Sequence, residues 1–201
     1  DIKTTRRVFR QGIFVALIFG FMLAMPVISG IWLLPKLGQD QELVSHASSF
    51  LIISAFSLPL MFLFLVMRFF SAAYSKPYVQ LIGALIALLF NIIGNEILTF
   101  GFFWIPSLGL NGIAISTAVC FLMGTISMGL IIGLKSPFKD IYPFRRLWAM
   151  DWKITKKILK VGSPNGVMVM SETGMFAVAS IMMGVFGTAA LAATAISTQL
   201  A

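Results

Sequence analysis

The sequence predicts an all-α fold, a polytopic transmembrane helical bundle, and three observations carry that expectation. Hydrophobic residues make up 59% of the chain and charged residues 11%, with a mean hydropathy of +0.96, which no water-soluble domain sustains. Uncharged runs recur at Gln11–Pro35, Ala47–Met67, Pro77–Asn95, Ile97–Leu134 and Thr173–Ala201. A membrane-spanning helix needs about 20 such residues at about 1.5 Å each. None of the runs alternates apolar and polar residues as barrel strands do, so helices are the expected form.

The third observation is where the charge lies. A net charge of +8 suggests nucleic acid until its distribution is read. Lys3, Arg6, Arg7 and Arg10 precede the first run, Arg68 and Lys76 flank the second turn, and Lys135, Lys139, Arg145, Arg146, Lys153, Lys156, Lys157 and Lys160 fill the fourth connection. The alternate connections hold only Lys36, so fourteen of the 15 basic residues share one side of an alternating path. Basic loops favour the cytoplasm, which places the residue 1 end there, in an inner (plasma) membrane, and removes nucleic acid as a partner.

The spans are expected at about Gln11–Leu33, Ser48–Phe70, Tyr78–Phe100, Leu108–Leu134, Val161–Met183 and from Gly187 onward. The sixth is shorter than a crossing, and the chain starts at Asp1 without Met, the pattern expected of a fragment. The lone Cys120 excludes an internal disulfide and a cysteine metal cluster.

Organisation changes at Ser136–Lys160, the long polar connection, which divides the chain into regions 1–135, 136–160 and 161–201. Within it Phe144–Gly162 sets Trp148 and Trp152 one helical turn apart among basic side chains. That pattern fits a helix lying in the cytoplasmic interface, and equally a solvated linker. In the fourth span Gly112, Ser116, Cys120 and Gly124 recur every four residues, so one face admits a neighbouring backbone closely. Pro26 and Pro59 fall inside spans, where each removes a backbone hydrogen bond.

Two places carry chemistry. Gly83, Ala87, Asn91 and Asn95 share a face of the third span, and two carboxamide oxygens one turn apart can bind a desolvated cation or accept a substrate's hydrogen bonds. They can also join two helices. Glu96 points away from Asn91 and suits a snorkelling or water-exposed carboxylate. Glu172 is the only charged residue after Lys160, about 18 Å along the helix and close to the midplane. An ionisable group there costs roughly 3 kcal/mol on insertion scales and is usually functional. A carboxylate kept from water needs its charge cancelled, so a proton, Na⁺ or a cationic substrate would exclude one another at Glu172. The alternative is a structural acid bonded to a neighbouring helix. Met168, Met175 and Phe176 fall near the same face, as either a tolerant pocket wall or packing.

Several separated stretches together resemble the multidrug and toxic compound extrusion (MATE) transporters, particularly their NorM-like branch. Leu37-Gly38-Gln39-Asp40-Gln41-Glu42 is similar to the turn after that family's third helix, and Asn91 to Asn95 through Gly101 to its fifth. Pro106 to Ala114 resembles the start of the sixth; Gly162-Ser163-Pro164 with Glu172, Phe176 and Ala177, then Met183-Gly184 and Gly187 to Ala193, resemble the seventh and the start of the eighth. The resemblance implies helices three to eight of a twelve-helix transporter whose two lobes alternate access by rocking. It also implies that residues 136–160 link the lobes, that Asn91 and Asn95 belong to a cation and substrate region of the first lobe, and that Glu172 belongs to a cation site of the second. Thr194 and Ala195 stand where the family often has His-Gln, and Glu96 where it is commonly apolar or aromatic, departures that bear on the substrate range.

The function expected is a multidrug efflux antiporter exporting organic cations in exchange for Na⁺ or H⁺, monomeric at full length, in contact with membrane lipid, with no cofactor. A lipid-linked precursor flippase of the same superfamily would favour basic residues in the cleft, and no span interior holds Arg or Lys. A membrane enzyme would need an acidic cluster for metal chemistry, and the loops hold none. A channel would need a repeated filter or ring of charge.

Overall fold

The computed structural model describes residues 2–32, 41–102, 106–136, 138 and 151–185. They form five long helices: α1 (Ile2–Ser29, ending in a 3-10 turn at Gly30–Trp32), α2 (Gln41–Ala73), α3 (Pro77–Phe100), α4 (Leu110–Leu134) and α5 (Trp152–Val185). The chain divides into two compact units, Asp1–Asp151 with α1 to α4, and Trp152–Ala201 with α5. Lys36, the Leu37–Asp40 part of the turn, Lys139, Phe144–Met150, Gly187–Ala193, Thr194, Ala195 and the expected sixth span lie outside the described residues.

Four of the helices, α1 to α4, are long and apolar enough to cross a membrane. Their apolar windows are only 11–28% buried, so most hydrophobic side chains point outward, as lipid permits and water does not. On α3 the outward row includes Leu81, Leu85, Leu88, Leu89 and Ile92. The helices overrun the apolar stretches: α1 begins at Ile2, so Lys3, Arg6, Arg7 and Arg10 ride on its first turns, and α2 has 33 residues, about 50 Å of rise. Helical hydrogen bonds are internal, so a helix need not stop where the hydrocarbon does.

Within the first unit α2 and α4 are central: α1 packs on α2, α2 on α4, and α4 on α3. The turn Tyr74–Lys76 joins α2 to α3, yet these two touch only slightly. Its geometry is fixed by Ser75 in the left-handed region (φ 54°), by a bond from the Lys76 amide to the Ser71 carbonyl, and by Pro77 at the first helical position.

Small residues set the packing order. Gly20 of α1 lies against the backbone of Pro59, and Gly124 of α4 lies under the Phe64 ring and the Ala87 methyl. Along the α3–α4 seam Gly83 accommodates Met128, Gly94 meets Ser116, and Gly112 meets the Leu98 carbonyl. The four-residue face read from the sequence is thus the α4 contact face, with Gly112, Ser116 and Gly124 buried and Cys120 half-buried. At one end Phe9, Phe64, Met67, Val79, Met128, Ile132 and Phe138 form a core. Phe138 is fully buried, its ring 5.8 Å from Phe70 and 5.2 Å from Tyr74. Arg7 pairs with Asp151 at 3.8 Å on the surface.

Over its described part, the interfacial helix expected at Phe144–Gly162 is not separate. Residues 152–162 are the first turns of the same 34-residue helix that carries Glu172, with Gly162, Ser163 and Pro164 inside it. Lysine, isoleucine and leucine are competent helix formers, and one proline leaves the neighbouring turns able to continue.

Candidate functional site

The amide pair is assembled by α3 alone. Asn91 and Asn95 are one turn apart on a half-buried face, and the Asn95 Nδ2 donates to Asn91 Oδ1 at 3.2 Å. This bond orients the two carboxamides and occupies one lone pair of Asn91. Asn95 Oδ1 is buried and has no partner among the described residues. Leaving a buried acceptor unmatched costs about 1–3 kcal/mol, so such an oxygen is suited to a cation, a water or a donor on a ligand.

The alternative reading, amides joining helices, is met by a different residue. Ser116 Oγ of α4 donates to the backbone carbonyl of Asn91 at 3.1 Å. Among the described residues the Asn91 and Asn95 side chains make no hydrogen bond to another helix. Gly94 makes the Ser116 approach feasible, since a Cβ there would fall 2.5 Å from the serine oxygen. The sequence marked Ser116 only as a small spacer. Its position on the α4 seam, where a hydroxyl must find an acceptor, was the available signal. Glu96, next in sequence, is exposed.

Two more unmatched oxygens, Thr99 Oγ1 and Asn111 Oδ1, lie where α3 ends and α4 begins. Here the Leu108 amide donates to the Leu98 carbonyl at 2.9 Å and the Gly109 amide to Thr99 at 3.4 Å, while Gly109 takes a left-handed φ of 55°. Leu108 and Gly109 therefore lie against the last turn of α3. Sequence reading did not single out either residue.

Glu172 lies on α5, in the second unit, apart from the amide pair in the chain's division. It is exposed, and no ion pair joins it among the described residues. Met168, Glu172, Met175 and Phe176 fall within an arc of about 100° on α5. The two methionines are 68% and 63% exposed and Phe176 42%. An uncovered carboxylate flanked by polarizable thioethers and an aromatic ring can meet a cation with both charge and apolar surface.

The MatE family model matches residues 1–97. A protein from Agrobacterium fabrum named "Probable multidrug resistance protein NorM" is 31% identical over all of this chain and 43% of its own length. Proteins of the same name from Bradyrhizobium diazoefficiens and Bacillus cereus are 28% and 32% identical, over 100% and 90% of this chain and 43% and 38% of their own lengths. The chain thus spans less than half the length of these relatives. No solved structure matches it. With four membrane-capable helices, a MatE family model over residues 1–97 and NorM-named relatives that align with 90–100% of its length, this multi-pass membrane protein is similar throughout to part of the NorM-like MatE proteins.

Proposed function

We propose that the chain is part of a multidrug efflux antiporter that exports organic cations in exchange for Na⁺ or H⁺ by alternating access, acting as a monomer and without a cofactor. The observation that carries this reading is the self-paired amide of Asn91 and Asn95. It leaves Asn95 Oδ1 buried without a donor among the described residues, inside an apolar span, in a chain similar throughout to proteins named for multidrug resistance. In this reading Asn91 and Asn95 serve one cation region, and Glu172 serves another on α5. Met168, Met175 and Phe176 line the path of an apolar cation beside it.

The residue 1 end lies in the cytoplasm, α5 crosses the inner membrane from Val161, and residues 136–160 connect two lobes. Transport requires Glu172 to exchange occupants, because a carboxylate in lipid cannot stay charged and alone. The decisive experiment is efflux of a cationic dye through the intact protein in everted vesicles, comparing an imposed Na⁺ gradient with an imposed pH gradient. Faster dye movement with one gradient supports the proposal and identifies the ion; movement indifferent to both overturns antiport.

A further inference from the structure

The first turns of α5 carry a feature that transport does not use. Lys153, Lys156, Lys157 and Lys160 are all exposed, and at 100° per residue they fall within an arc of about 100° on one side of the helix. Lys160 follows Lys156 by four residues and Lys157 by three, so its ammonium group neighbours both. Among the described residues no acid pairs with Lys156, Lys157 or Lys160.

Three ammonium groups this close concentrate positive charge that attracts an anion, on a helix that continues from Val161 into an uncharged stretch broken only by Glu172. Depth identifies the anion. Lys156 to Lys160 covers about 6 Å of rise, comparable with a headgroup layer about 5–8 Å thick on each side of the hydrocarbon. Three ammonium groups on flexible stems can therefore reach the phosphate plane of a single leaflet.

We propose that Lys156, Lys157 and Lys160 form a binding face for the phosphate headgroup of an anionic phospholipid, which fixes where α5 enters the bilayer. The inference rests on the proposed crossing of α5 from Val161, but not on any transport activity. The occupant is a lipid and not a soluble phosphate, because the lysines border the apolar stretch directly and a lipid's acyl chains can lie along the exposed Val161 and Val167 surface.

The test is native mass spectrometry of the intact protein in mild detergent, with phosphatidylglycerol, phosphatidylcholine or inorganic phosphate added. Wild-type protein should retain phosphatidylglycerol at least about tenfold better than phosphatidylcholine, and retention should fall as salt is raised. The triple change Lys156→Gln, Lys157→Gln, Lys160→Gln should remove most of that preference, and the corresponding triple change to Arg should keep it. Equal retention of both lipids by the wild type, an unchanged preference in the Gln variant, or displacement of phosphatidylglycerol by millimolar inorganic phosphate would each overturn the proposal. In parallel, Met170→Cys in a Cys120→Ala background is treated with a membrane-impermeant maleimide. Protection without lipid preference defeats this inference alone, whereas labelling defeats the crossing of α5 on which it rests.

Discussion

Ser116 of α4 gives its hydroxyl hydrogen to the backbone carbonyl of Asn91 on α3, at 3.1 Å. The bond places the seam of two helices at the base of the amide pair, and among the described residues neither carboxamide makes a hydrogen bond across that seam. Ser116→Ala should therefore cost little stability, about 0.6 kcal/mol as is typical of interhelical bonds in membranes. Thermal unfolding in detergent checks this, and a loss above about 2 kcal/mol would mean that Ser116 supports more than one bond.

Asn91→Ala and Asn95→Ala, alone or together, should leave the amount of protein in the membrane near the wild-type level while ion-driven dye efflux falls at least about tenfold. The physical ground is that their mutual bond lies within one helix and the contact to α4 is made through main chain. Immunoblots of membranes beside efflux rates separate the outcomes: loss of protein would show that the amides hold the bundle together.

Gly112→Leu should be among the most damaging single changes in the first unit. A side chain there runs into the Leu98 carbonyl and the Thr99 amide, both main-chain groups that cannot step aside. Overpacking of this kind costs about 1–3 kcal/mol or more. Gly162→Leu, where a Cβ meets nothing within 4 Å, is the matched control and should be tolerated. Comparable melting temperatures for the two would refute the close-packed seam.

Phe138→Ala should destabilise the first unit by about 3–5 kcal/mol, because the ring is fully buried against Phe70 and Tyr74. Phe138→Leu should recover much of the loss by refilling the space. A melting temperature unchanged in the alanine variant would show that the segment after α4 is not anchored.

Glu172→Gln should abolish ion-driven efflux while expression stays intact, since the amide keeps the shape of the side chain and removes the exchangeable charge. Glu172→Asp should retain part of the activity. Efflux by the glutamine variant at the wild-type rate would remove Glu172 from the mechanism.

The legible part of the fold was the part that depends on transfer to lipid. Apolar run length foretold α1 to α4 to within a few residues at most ends, because insertion reads local hydrophobicity summed along about 20 positions. Helix extent beyond the apolar runs was less visible. Nothing between Ile2 and Gln11, or between Trp152 and Val161, terminates a helix, and the charges there obscure the continuity. The amide pair was legible because its partners are four residues apart on one helix. Ser116 was not, since its acceptor lies 25 residues away.

By itself, then, the sequence determined that this chain lives in a bilayer, that it is helical, and that Asn91, Asn95 and Glu172 stand within otherwise apolar stretches. Tertiary structure alone decided that α4, not α2, is the main partner of α3. It also decided that, among the described residues, Ser116 and not the amides makes the bond across that seam, and that Asn95 Oδ1 is left without a donor. The reason is physical: hydrophobicity and helical spacing are properties of neighbouring residues, whereas a hydrogen bond or a glycine contact between helices exists only once two distant backbones have come together.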